Sequence, residues 1–391
     1  MKPIITDCFI CAIRPLISLG ATVSYIATPD CPHRANSLSN HPHKPKFLYS
    51  KSKTLFATSW ILIVLAELIY ICRCLRQNET PPEKKANYTF MFPALLNTLC
   101  FSMSFIVYNK DYMLFTNGFL EIIEQRKLYG IDTMLTSKIM GYYSIYSKCM
   151  SILHCSTAVL QVLVFLYKME RFELDYIGLT LALLVCTVNT GSYVAFFVST
   201  ITVYYIMLSK MREEIETALH RKEETLSEKL RILQRFYLLC VFNYKRHIFA
   251  YGTMLMHFTQ FLFEVASLVD YLLNAYFLTD DDEFHWMAAF RVLFLNYGNA
   301  FIGFYIWLIN QLILIGDDLL SFLYKYPINR LSRSEASQVE MLILTLTLEK
   351  PILRASDIFT VGTVLLSTVS GNAVTYVLVA LQFNVLAVFS N

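Results

Sequence analysis

Seven stretches of this chain are apolar over the length a helix needs to cross a bilayer, and that limits what it can fold into. The hydrocarbon core is about 30 Å thick, so a spanning helix needs about 20 mostly apolar residues. The runs are 54–75, 88–108, 148–167, 176–208, 248–277, 287–315 and 358–387. They predict an all-α polytopic membrane protein with seven transmembrane helices. An eighth apolar stretch, 4–27, is broken by Arg14-Pro15 and contains Asp7. It reads as an interfacial or partly buried segment ahead of the first span. It lacks the uninterrupted apolar core and small-residue cleavage site of a secretory signal.

Composition agrees. Of 391 residues, 55% are apolar and 16% are charged, against about 25% charged in soluble domains. A net charge of +3 is too small to point to nucleic acid. Most of the ten cysteines sit in or beside apolar runs, where thiols behave as small hydrophobes. Cys8 and Cys11 have CxxC spacing, but neither a second pair nor a histidine cluster completes a metal site.

Basic residues set the orientation, because cytoplasmic loops carry the excess. With the N-terminus inside, the inner segments 1–53, 109–147, 209–247 and 316–357 hold 25 Lys and Arg. The outer segments 76–87, 168–175, 278–286 and 388–391 hold 5. Two N-x-[ST] sequons, at Asn78 and Asn87, fall in the first outer loop, where glycosylation occurs. The acidic loop Thr279-Asp-Asp-Asp-Glu283 is also outside. The C-terminus is then extracellular, opposite to a G-protein-coupled receptor. The chain also lacks that class's Asp-Arg-Tyr and Asn-Pro-x-x-Tyr signatures at the third and seventh spans.

The inner segments carry their own helical signals. Residues 209–247 contain no Gly or Pro, and Arg212 and Glu216 stand i,i+4. Leu226, Leu230, Leu233, Tyr237 and Cys240 recur at helical spacing. The fourth and fifth spans are therefore expected to run out into the cytoplasm as helices. The stripe either packs on its own chain or helps bind neighbouring subunits. Residues 334–350 form another helix candidate, stopped by Pro351.

The last run contains TYVLVALQF, residues 375–383. Thr-Tyr, five apolar residues and Gln-Phe, in the last of seven spans with an inverted orientation, resemble the insect gustatory receptor family. Thr375, Tyr376, Gln382 and Phe383 meet its signature in full. The stretch 355–374 is similar to its lead-in, and RPLISLG, 14–20, to the segment before its first span. The family's sugar-sensing branch has an acidic residue directly after Thr-Tyr; here it is Val377.

The resemblance implies a multi-pass plasma-membrane receptor of sensory neurons, related to insect odorant receptors. It implies a ligand-gated cation channel that detects small-molecule tastants and passes monovalent and divalent cations. Four subunits, of one kind or mixed with other gustatory receptors, would surround a pore lined by the last helix. No cofactor is implied. Helical arithmetic fits: Thr375, Val379, Gln382 and Leu386 share one face, with Tyr376, Ala380 and Phe383 on the next. Four Gln382 amides would offer oxygens to a cation, and Phe383 or Leu386 would close the path by dewetting. From the residues alone, Gln382 could equally hydrogen-bond a neighbouring helix.

Ionisable residues inside spans are functional suspects. Glu67, Glu264, Asp270 and Arg291 are such residues here. Arg291 and Asp270 are at compatible depths for an ion pair. Alternatively they floor an outward pocket with Asn97, His154, His257, Gln260, Glu264, Trp286, Asn296 and Tyr297. Apolar, aromatic surroundings with a few converging polar groups suit a small-molecule site. A second reading is a secondary transporter using Glu67, Glu264 or Asp270 as a coupling carboxylate, but no internal repeat supports it. No catalytic constellation stands out, so an enzyme is not expected.

Overall fold

The computed structural model describes residues 9–20, 27–30, 46–77, 108–131, 137–167, 174–221, 225–246, 282–355 and 359–365, with scattered positions of 88–107 and 367–382. For 174–190 and 282–302 only the backbone is described. The helices are α1 (Phe9–Gly20), α2 (Lys51–Arg76), α3 (Asn109–Gln125), α4 (Ser137–Tyr167), α5 (Leu174–Arg221), α6 (Leu226–Lys245), α7 (Asp282–Lys325) and α8 (Arg333–Leu348). Two short antiparallel pairs join β1 (Ala27–Asp30) to β2 (Lys46–Tyr49), and β3 (Arg354–Ala355) to β4 (Phe359–Thr360). Every described position of 88–107 and of 363–382 is also helical.

Among the described residues, three segments are long and apolar enough to cross a membrane: Lys51–Arg76, Val194–Arg221 and Gly303–Lys325. They overlap the first, fourth and sixth runs. The fifth run, 248–277, lies outside the described residues, as do Asn78 and Asn87. In α2, Ala57, Ile61, Val64, Leu68 and Ile71 are buried, at steps of four and three. Val64, Leu68 and Ile71 cluster with Tyr88 and Leu95. Between 61 and 70 the uncovered face of α2 is Leu62, Ile63, Leu65, Ala66 and Ile69. An apolar uncovered face such as this suits lipid on the side its own chain leaves open.

α5 and α7 have 48 and 44 residues. At 1.5 Å per residue they run about 70 Å, more than twice the hydrocarbon thickness. The sequence reading ends the sixth span at 315, but α7 continues to Lys325. Asp317 and Asp318 do not interrupt it, because each has a cation. Lys350 Nζ donates to Asp317 Oδ1 at 2.8 Å and an Arg212 guanidinium nitrogen donates to Asp318 Oδ2 at 2.9 Å. Arg212 also donates to Glu216 at 2.8 Å, the expected i,i+4 pair. α6 ends at Lys245, where the Arg246 N–H turns onto the Asn243 and Tyr244 carbonyls.

α5 is central, packing against α1, α4, α6 and α7. The stripe Leu226, Leu230, Leu233, Tyr237 and Cys240 is fully buried within the chain's own core. It packs on its own protomer and is not a subunit face. Burial pushes the Cys240 thiol up from its ordinary pKa, so it stays protonated and acts as a small hydrophobe. α8 covers the outer side of α6. Its start is a capping box: Ser332 Oγ accepts from the Glu335 N–H, and Glu335 Oε2 accepts from the Ser332 N–H.

The described α1 has 12 residues, about 18 Å, less than a span needs. Phe9, Ile10, Ala12, Ile13, Leu16 and Ile17 are all buried, and the helix packs on α4 and α5. Its Leu16 N–H lies 3.3 Å from Ser147 Oγ of α4. The segment 109–147, read from sequence only as an inner loop, contains α3 and the start of α4. α3 buries Tyr112, Phe115, Phe119, Ile122 and Ile123. Its Asn117 side chain completes the edge of β2, accepting from the Phe47 N–H at 2.8 Å and donating to the Phe47 carbonyl at 3.3 Å.

One polar residue ties three of these helices together. Asn243 of α6 is buried; its Nδ2 donates to the Phe115 carbonyl of α3 at 3.0 Å and to Tyr204 Oη of α5 at 2.6 Å. Gly118 makes the approach possible, since a Cβ there would lie 2.3 Å from Asn243 Oδ1.

Own-chain packing of the α6 stripe has a direct test. Leu230→Ala is expected to cost about 2–5 kcal/mol, as buried Leu truncations do. It should lower the melting temperature of the purified full-length protein by the same amount at every protein concentration. Dissociation of an oligomer with unchanged subunit melting would contradict it.

Candidate functional site

The C-terminal helical segment 363–382 is made of apolar and small polar residues, and its own chain hardly covers it. Every described position from 367 to 382 is exposed. Val364 is 76% exposed, Val374 59%, Leu378 54% and Val379 41%. At 100° per residue, these positions sweep a little over half the helix circumference. The uncovered surface differs in kind from that of α2. It carries Ser367, Thr368, Ser370, Asn372, Thr375 and Gln382 among its valines and Leu378.

Three hydroxyls there are satisfied within the helix. Ser367 and Thr368 donate to the Val364 carbonyl, each at 2.9 Å, and Thr375 to the Gly371 carbonyl at 2.9 Å. Such back-bonding lets Ser and Thr sit in an apolar helix without water. Asn372 and Gln382 have amides, whose two donors and acceptor exceed what a helix backbone supplies. Of the expected pore positions, Thr375, Val379 and Gln382 are helical and exposed on the protomer. Tyr376, Phe383 and Leu386 lie outside the described residues.

The segment is joined to the helix bundle through a tightly held connector. Lys245 Nζ of α6 donates to Glu349 Oε2 at 2.6 Å, and Tyr237 Oη donates to the Glu349 carbonyl at 2.8 Å. Lys350 is paired with Asp317 of α7. Pro351, Leu353 and Val361 are buried, and the Val361 N–H donates to the Leu353 carbonyl at 2.9 Å across the β3–β4 pair. Burial, with Glu349 and Asp317 nearby, holds the Tyr237 phenol above its ordinary pKa, so it stays a hydrogen-bond donor. Sequence reasoning missed the pairing of Lys245 with Glu349 and of Lys350 with Asp317. The only available signal was an acid and a base side by side ahead of Pro351.

The expected ligand-pocket residues are seen unevenly. His154 is buried in α4, with its ring against Gly191 of α5. A Cβ on Gly191 would lie 2.5 Å from His154 Nδ1. His154 is therefore part of the α4–α5 contact. Glu67 is half-buried on α2. Trp286, Arg291, Asn296 and Tyr297 lie on α7, with side chains outside those described. Asn97, His257, Gln260, Glu264 and Asp270 lie outside the described residues. Among the described residues, no group of three His, Cys, Asp or Glu is placed to hold a metal ion.

No protein-family profile matches the sequence, and comparison with curated proteins found no match. Solved structures do match. The chain is similar to the insect olfactory receptor OR5 from Machilis hrabei, with a TM-score of 0.71 at 16% identity, covering 96% of this chain and 99% of that one. It is also similar to that receptor in complex with eugenol, with a TM-score of 0.72 at 15% identity, covering 95% and 98%. The protein thus has the fold of an insect olfactory receptor over nearly its whole length.

The His154–Gly191 contact yields a double-mutant cycle. Gly191→Ala drives a methyl group into the imidazole and is expected to destabilise by about 1–3 kcal/mol, as overpacking does. In a His154→Ala background the same change should cost far less, read as melting temperature. Equal cost in both backgrounds would place the histidine ring elsewhere.

Proposed function

We propose that this chain is a subunit of a ligand-gated cation channel that detects small-molecule tastants. Its C-terminal helix lines the pore. The carrying observation is the uncovered face of residues 363–382. Lipid suits the aliphatic flank of α2, but it leaves the amides of Asn372 and Gln382 without partners. Copies of the same helix around a water-filled path give those groups water and give the valines each other. Four subunits place four Thr375, Val379 and Gln382 side chains in successive rings, with Phe383 or Leu386 as the apolar gate. Gln382 oxygens then replace part of a cation's hydration shell.

The fold of an olfactory receptor, and the existence of one such receptor bound to eugenol, support a small organic ligand and a chemosensory role. The Thr-Tyr…Gln-Phe signature supports the gustatory branch. Arg291, Asp270 and the polar residues grouped with them above, His154 aside, form the pocket proposed for the ligand. The excess of Lys and Arg on the inner segments supports an N-terminus inside the cell and sequons Asn78 and Asn87 outside. Subunits of other gustatory receptors are the expected partners in a mixed tetramer at the plasma membrane of sensory neurons.

Charge at the Gln382 ring tests this reading. Gln382→Glu places up to four carboxylates at one constriction and should shift the reversal potential toward divalent cations. Phe383→Ala should wet the gate and give leak current without ligand. Both are read as current normalised to surface protein. Unaltered selectivity with a silent baseline, at normal surface levels, would make 375–383 a packing motif.

A further inference from the structure

Glu349 and Lys350 are consecutive, carry opposite charges, and reach opposite charges on two different helices. Glu349 takes Lys245, the last residue of α6, at 2.6 Å. Lys350 takes Asp317, within the extension of α7 past residue 315, at 2.8 Å. The Glu349 carbonyl is held separately by Tyr237. All four ion-pair side chains are partly exposed, between 34% and 45%. Pairs this exposed are weak individually and contribute little to folding. Their placement is the informative feature. In sequence, α6 ends three residues before the fifth apolar run, and α7 contains the sixth. Fourteen residues beyond Glu349, at 363, the C-terminal helix begins.

Between the clamp and that helix, the described residues are closely held. Pro351 and Leu353 are buried, β3 pairs with β4, and Val361 is buried with its N–H on the Leu353 carbonyl. The Leu365 N–H then bonds the Gly362 carbonyl, opening the helix. We propose that Glu349 and Lys350 are positioning residues: a two-sided clamp that passes any shift of α6 against α7 to the near end of the C-terminal helix. It thereby sets how often the pore is open without ligand. The inference rests on the channel reading. Crossed charges make the clamp selective, since sliding Glu349 toward Asp317 or Lys350 toward Lys245 brings like charges together.

The test uses full-length protein in two formats. Hydrogen exchange in detergent reads the Val361 amide, and proteoliposomes read cation leak without ligand. Glu349→Lys should speed exchange at Val361 about tenfold, as loss of local protection does, and raise leak several-fold. The swap Lys245→Glu/Glu349→Lys should return both to wild-type values. Glu349→Gln keeps the size of the side chain and the Tyr237 contact, and it should give the same changes in smaller measure where the reversal fails to fold. Phe383→Ala in parallel separates the two readings. Leak in Phe383→Ala with wild-type leak in every clamp variant overturns the clamp alone, whether or not exchange has changed. Raised leak that the swap does not reverse also overturns it. Absence of leak in Phe383→Ala overturns the channel reading and the clamp's role in it.

Discussion

A helix of about 70 Å cannot be contained by about 30 Å of hydrocarbon, and this protein has two of them. The excess length of α5 and α7 must lie in water, where its apolar side needs cover. α6 supplies that cover with the stripe from Leu226 to Cys240, and α8 closes over α6. The charges that a membrane would not admit decorate the outside of the same bundle: Arg212 with Glu216 and Asp318, Lys245 with Glu349, Lys350 with Asp317. On the channel reading proposed above, one chain holds a lipid-facing half and a soluble-type helical half, joined without a break in α5 and α7.

The junction between these halves is specified by polar contacts, because apolar packing alone permits sliding. Asn243 reaches a carbonyl on α3 and a phenol on α5, and Gly118 leaves room for it. A half-turn slip of α6 would strand that amide in an apolar core, at about 1–3 kcal/mol for each unsatisfied group. Phe119, Tyr204 and Tyr244 pack ring to ring around it, with centroids 5.2 and 5.8 Å apart. In the clamp proposed above, the described parts of the connector, 349–355 and 359–361, tie this frame to the C-terminal helix.

Much of this was legible in the sequence where the signal is periodic. The α6 stripe, the Arg212–Glu216 pair and a helix near 334–350 follow from spacing alone. α3 was not legible, because Tyr112, Phe115, Phe119 and Ile122 are interleaved with Lys110, Asp111, Glu121 and Glu124, and no uninterrupted apolar run marks them. The continuation of the helix past the sixth run was not legible, because Asp317-Asp318 look like its end until their partners are known. Those partners, Lys350 and Arg212, are 33 and 106 residues away. Lys245 and Glu349 are likewise 104 residues apart, beyond the reach of any local pattern. On the candidate site, the register of Thr375, Val379 and Gln382 was readable. The placement of His154 against Gly191 was not, because a glycine gives no sign of what lies over it.

The account stands or falls on what covers the face of 367–382. Cysteine accessibility measures this directly: single cysteines at Thr375, Val379 and Gln382, and at Val377 on the opposite side, in a chain with its native cysteines replaced. A charged, membrane-impermeant thiol reagent is applied from outside to protein in cells, and block of current is followed. The account predicts modification at 375, 379 and 382, with 377 inert, a helical period of water access. Equal reaction at all four positions, or none at any, would contradict a water-filled path along this face.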